Sequence, residues 1–208
     1  DGFGADAAGV LREDMAAAGG DRLADTIDGL RASREDDPAH LTAIGHSYGS
    51  TVVGIGAHEH DLAVDDIVFV GSPGVGGDTN NAGDLNHDPD HVWAGANSRD
   101  IVANLGNHGA FHLEVLGGGG LGDDPAEDDF GANRFQAEST TRNEHINNFS
   151  DHGKYFDHDT ESLHNITQVV NGNYDAVLRA EHLHDPWLGE PEDPEWDRTP
   201  TAPDTDRR

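Results

Sequence analysis

Residues 66–70 read Asp-Ile-Val-Phe-Val, and the last four of them carry no polar side chain. A strand that is apolar at every position has no face to offer water, so it must be covered on both sides. The interior of a parallel sheet with helices on both faces meets that demand. The rest of the chain agrees, because apolar runs of strand length alternate with helical patterns. "DMAAAGGDRLADTIDGLRAS" (14–33) places Leu23, Ile27 and Leu30 on one helical stripe. Pro38 is expected to end that helix, and Leu41 to Ile44 are expected to form a short buried strand. "STVVGIGAH" after it reads as a helix, "DIVFVGS" (66–72) and "HVWAGA" (91–96) as strands. "DTESLHNITQVVNG" (159–172) is a further helix, capped by Asp159 or Thr160 and closed by Gly172. Its expected buried stripe is Leu163, Ile166, Val169 and Val170.

The segment between these elements is less patterned. Residues 106–130 contain a glycine run and an acidic run and are expected to form a mobile surface loop. "FGANRFQAE" (130–138) is expected to return to the sheet, with "FHLEVL" (111–116) as a rival strand. From residue 185 the composition changes, and five of the nine prolines fall in the final 24 residues. The expected organisation is therefore a domain over 1–184 and an acidic, extended or disordered tail over 185–208.

Charge narrows the function. The chain has 41 acidic residues against 12 Lys+Arg, a formal net charge of −29. Nucleic acid and anionic membrane surfaces are disfavoured partners for such a field. The acids are scattered among apolar runs rather than blocked together, which points to a folded protein adapted to high salt. No cysteine is present, so disulfides, thiolate catalysis and cysteine-bound zinc are excluded. No apolar run reaches the length of a membrane span. The compartment, cytoplasmic or secreted, and the oligomeric state stay open. The start at Asp1 suggests a fragment or a processed form.

The chemistry centres on Gly45-His46-Ser47-Tyr48-Gly49. G-x-S-x-G carries meaning when it joins a strand to a helix, because the turn lifts the serine hydroxyl and aims the next backbone N–H at an oxyanion. A strand before and a helix after are both predicted here. Ser47 is thus the candidate nucleophile and the N–H of Tyr48 one oxyanion donor. An acid and a histidine should follow in that order, near the ends of later strands. Asp100, just past "HVWAGANSR", is better placed than Asp84, Asp88 or Asp90, which precede that strand. Among 14 histidines, His152 and His158 lie where the base is expected, with His145 a weaker choice and His164 inside a helix. Gly153 beside His152 would give the loop freedom to aim its imidazole.

Five ordered blocks, "AIGHSYGSTVVG", "VFVGSPGVG", "VWAGANSRDIVA", "FGANRF" and "HGKYFDHDTESLHNI", resemble an actinobacterial-type α/β-hydrolase family labelled DUF1023. The resemblance spans roughly residues 20–172 and is similar in layout to class 3 lipases and cutinase-like serine esterases. It implies an α/β-hydrolase fold with a mostly parallel central sheet flanked by helices. It also implies a Ser47–Asp100–His152 triad, since His152 matches the family's H-x-x-Y block and His158 falls where relatives carry proline. Family members have an upstream strand and loop that supply a second oxyanion donor. This chain begins near the helix after them, so part of the N-terminal sheet is expected to be missing, with "DGFGADAAG" a possible remnant. The expected activity is hydrolysis of a small-molecule or lipid carboxylic ester through an acyl-enzyme, with no cofactor and no metal. A noncatalytic binding module on the same scaffold is the alternative. A third reading assigns metal binding to "HEHD" (58–61), "HLHD" (182–185) or the carboxylates of "GDDPAEDD".

Overall fold

A computed structural model describes residues 13–76, 78–106, 121–145, 149–181 and 193–201. Its elements are α1 (Glu13–Ala32), β1 (Thr42–His46), α2 (Tyr48–His60), β2 (Asp66–Val70), β3 (Val92–Gly95), α3 (Ile101–Gly106), β4 (Asn133–Phe135) and α4 (Glu161–Val170). The strands form one sheet in the order β1-β2-β3-β4, and every pairing is parallel. The carboxyl-terminal residues His46, Val70, Gly95 and Phe135 lie in one register row. The loops that follow these strands therefore open at a single edge, where parallel α/β sheets place their sites.

β2 is buried at all five positions, and its side chains divide between two cores. Ile67 and Phe69 join Ile27 of α1 and Val53 and Ala57 of α2. Val68 and Val70 face the other way, onto Trp93, Phe135 and Tyr155 with Ile166 and Val169 of α4. Both faces are thus covered, as the apolar run required. α1 and α2 pack closely because neither side chain intrudes where Gly20 meets Gly56. A Cβ on Gly20 would stand 2.9 Å from the Gly56 nitrogen.

Several expectations change. On α1, Ile27 is buried while Leu30 is 49% exposed, because the helix shows the sheet a narrower stripe than its apolar pattern suggests. On α4, Ile166 and Val169 are buried but Val170 is 41% exposed, one position beyond the face that meets β2. Thr160 is the cap, accepting the Leu163 N–H. Residues 121–130 are no surface loop. Leu121, Asp124, Ala126 and Phe130 are buried, and Phe130 completes the first core. The rival strand at 111–116 lies outside the described residues, as do 182–192 and 202–208. Residues 193–201, expected within an extended or disordered tail, have no helix or strand but are pinned by Arg134 and Arg142 and by the pairing of their own Arg198 with Glu161. Buried guanidiniums need anionic or carbonyl partners, and this segment supplies them.

Asp124 is 2% exposed. One of its oxygens accepts the Ala126 N–H at 2.9 Å, and the other has no hydrogen-bond partner among the described residues. Burial pushes its carboxyl up to about 7. The folded state therefore holds a proton that the unfolded chain gives up near the ordinary aspartate value. That difference favours folding at low pH and is lost as pH rises through about 7. Asp124→Asn should raise the melting temperature at pH 8 and leave it nearly unchanged at pH 4, measured by thermal unfolding at both.

Candidate active site

β1 ends at His46, and Ser47 stands between it and α2 with φ 57° and ψ −134°. That conformation is left-handed and costs a non-glycine residue free energy. Two backbone bonds hold it. The Ser47 N–H donates to Val70 O on the neighbouring strand at 3.1 Å, and Ser47 O accepts the Ser50 N–H at 2.9 Å. The first glycine of the motif is a steric necessity, since a Cβ on Gly45 would lie 2.7 Å from the Ser50 Cα. The second is not, because nothing lies within 4 Å of a Cβ on Gly49. Tyr48 opens α2 directly after the serine.

Asp100 is fully buried in the loop after β3. One carboxylate oxygen accepts the Val102 N–H at 2.8 Å. The other accepts from His152 Nδ1 at 2.8 Å and from the Tyr155 hydroxyl at 2.7 Å. A tautomer that donates its Nδ1–H to Asp100 leaves Nε2 as the ring's lone-pair acceptor. Tyr155 is buried, and burial beside Asp100 pushes its phenol well above the usual value. It stays protonated, donates to Asp100, and its oxygen accepts the Asn97 N–H at 3.0 Å. Gly71, at φ 55°, makes room for this pair, because a Cβ there would meet Tyr155 at 2.6 Å and Asp100 at 2.9 Å.

His152 lies in a single 3-10 turn, Asp151–Gly153. The freedom expected of Gly153 is not what aims the imidazole, for Gly153 has no left-handed φ and open space around it. Asp151 does the anchoring. It is fully buried, accepting from Lys154 Nζ at 2.7 Å and from the Asn143 N–H at 3.1 Å.

His46 ties this turn to the serine. Its Nε2 donates to the His152 carbonyl at 2.9 Å, and the two ring centroids lie 4.7 Å apart. Burial lowers its pKa, which suits a neutral ring with the proton on Nε2. Phe156 meets the His46 ring edge-on at 5.7 Å. The fold thus brings His152 onto Asp100 and beside the residue that precedes Ser47. His145 and His158 are exposed. Asp84 and Asp88 are occupied in capping 3-10 turns. Tyr155 is the tyrosine of the H-x-x-Y block, but no local pattern reveals its bond to Asp100 or the bond from His46 to the His152 carbonyl. The segment "DGFGADAAG" lies outside the described residues.

Of the histidine-rich runs, 58–61 contributes Glu59 and His60 to an exposed group with Asp21. His60 Nε2 and Asp21 are within hydrogen-bond distance at 2.8 Å, which accounts for their closeness. The run at 182–185 lies outside the described residues. Among the described residues, no helix is long and apolar enough to cross a membrane.

A parallel sheet with a strained serine elbow at its carboxyl edge defines a class, and comparison with known families agrees. The chain belongs to the alpha/beta hydrolase family, whose model matches residues 4–110. That match includes Ser47 and Asp100 and ends before His152. The chain is 31% identical over 217 residues to the uncharacterized protein Rv2079 of Mycobacterium tuberculosis, covering 89% of this chain and 33% of the relative. It is 38% identical over 84 residues to the uncharacterized protein Mb0988c of Mycobacterium bovis, covering 40% of this chain and 30% of that one. The chain therefore spans about a third of the length of these relatives. No solved structure matches it significantly.

Proposed function

We propose that this protein is a serine hydrolase of carboxylic esters. In this reading His152 Nε2 takes the proton of Ser47 as its oxygen attacks the ester carbonyl, and Asp100 holds the imidazole in the required tautomer. The Tyr48 N–H, at the start of α2, stabilises the developing oxyanion. His152 then protonates the leaving alcohol, and water activated by the same imidazole releases the acid. The observation that carries the reading is the 2.8 Å Asp100–His152 contact at the sheet edge that also bears Ser47. Neutral esters suit the site better than anionic ones, because the chain carries a net charge of −29.

The test is turnover of a p-nitrophenyl ester series, paired with labelling by a fluorophosphonate probe and mass-spectrometric mapping of the adduct. Hydrolysis with the adduct on Ser47 supports the assignment, and the chain-length profile defines the acyl preference. Folded protein that neither hydrolyses nor labels would favour the noncatalytic binding module.

The same charge supports adaptation to high salt as a proposal. Molar salt shortens the screening length to about 3 Å and relieves repulsion among surface carboxylates. The melting temperature should rise markedly between dilute buffer and molar KCl. A flat response would overturn the proposal.

A further inference from the structure

With only 12 lysines and arginines in the chain, the place where cations gather is informative. Arg99 and Arg142 lie between residues 193–201 and the loop that carries Asp100, while Arg134 on β4 and Arg198 within the segment tie it to β4 and α4. The Arg99 guanidinium stacks on Trp196, 3.2 Å from the ring centroid, and donates to the Trp196 carbonyl at 2.9 Å. Its Nε and Nη1 have no hydrogen-bond partner among the described residues, so the indole face and that carbonyl are its principal compensation for burial.

Arg142 closes this contact from the other side. It pairs with Glu138 at 2.7 Å, touches Ser98 Oγ at 3.2 Å, and donates to the carbonyls of Glu195 and Trp196, both at 2.9 Å. Glu138 in turn accepts the Ser98 N–H at 2.6 Å. Arg134 binds Asp193 at 3.0 Å, and Arg198 binds Glu161, anchoring the two ends of the segment. The two residues immediately before Asp100 are thus clamped between Glu138 and Trp196.

We propose that Trp196 is a positioning residue for the catalytic acid, acting through Arg99 to hold the 97–100 turn and keep the Asp100 carboxylate on His152. The proposal rests on the triad reading given above. It assigns residues 193–201 a part in the reaction that their distance in sequence from Ser47 and Asp100 conceals. A flat cation is essential to it, because a lysine ammonium cannot stack on an indole as a guanidinium does.

The experiment compares wild type with Trp196→Ala, Trp196→Phe and Arg99→Lys, reading amide hydrogen exchange by mass spectrometry beside ester hydrolysis. Trp196→Ala should speed exchange about tenfold or more in peptides spanning 97–103, on the scale of a lost desolvated cation–π contact, with β2 unchanged. The Val102 amide, which donates to Asp100, is the most direct reporter. In the same variant kcat should fall while KM changes little. Arg99→Lys should follow it, and Trp196→Phe should recover most of both signals. Unchanged exchange at 97–103 in folded Trp196→Ala, or a uniform rise across the whole chain, would overturn the proposal. If Trp196→Ala does not fold, Arg99→Lys decides by the same criteria. A wild type without esterase activity would sink the hydrolase reading alone, since the exchange comparison does not depend on turnover.

Discussion

Ser47→Ala and His152→Ala are each expected to lower kcat for ester hydrolysis by about 10⁴- to 10⁶-fold, and the double variant no further. Nucleophile and base act as one unit, so removing either leaves only binding and the oxyanion donors to accelerate the reaction. Two independent contributors would instead multiply their losses, and that outcome in the double variant would overturn the pairing. Stability provides a second, opposite signal at the same residue. Ser47 has φ 57° and ψ −134°, a region a side chain enters only under strain. Ser47→Gly should abolish activity and yet raise stability by about 1 kcal/mol or more, because glycine adopts this conformation without a Cβ penalty. A turn selected only for structure has no reason to keep a serine there. Steady-state kinetics and chemical denaturation, run on the same preparations, read both effects.

Asp66→Ala is expected to be the most damaging change at the far end of the sheet. Asp66 is fully buried at the start of β2 and accepts four hydrogen bonds. His91 Nδ1 and Trp93 Nε1 donate to one oxygen at 3.0 and 2.9 Å. His40 Nε2 and the Tyr174 hydroxyl donate to the other at 2.8 and 2.9 Å. Four donors match the acceptor capacity of a carboxylate. Removing it strands the buried indole N–H of Trp93 and frees three side chains from three other segments. The net loss is about 3 kcal/mol or more, which for a chain of this size lowers the melting temperature by roughly 10 °C. Asp66→Asn keeps one acceptor oxygen and should lose less. A melting temperature unchanged in Asp66→Ala would show that these bonds merely replace equivalent ones to water.

The two buried aspartates differ in how fully their oxygens are met by donors. Asp124 has one unsatisfied oxygen and a carboxyl pushed up to about 7, so it burdens the fold when ionised. Asp66 has every acceptor site filled. Burial alone is therefore a poor guide to what a carboxylate does in this protein, and its donors decide.

Much of this architecture follows from local pattern. The all-apolar β2 demands cover on two faces, and the helical stripe on α1 and the cap and apolar periodicity of α4 are local properties of neighbouring residues. The elbow is equally local, because Gly45 is needed where α2 begins against β1, within five residues of chain. What the sequence left open were questions of distance. Which acid meets which histidine depends on β3 and the 151–153 turn converging at one edge, and nothing local to residues 149–158 shows that His152 is half-buried against Asp100 while His158 is exposed. The role of Tyr155 on Asp100, the link from His46 to the His152 carbonyl, and the closing of residues 193–201 over Ser98 and Arg99 likewise join segments tens of residues apart. Even the composition of that last segment misled, since its prolines and acids suggested solvent while its carbonyls and carboxylates answer buried arginines elsewhere in the chain. Periodicity and turn chemistry are written in adjacent residues and can be read there. Pairing of charges and hydrogen bonds across the fold is decided only when packing fixes which groups lose water together.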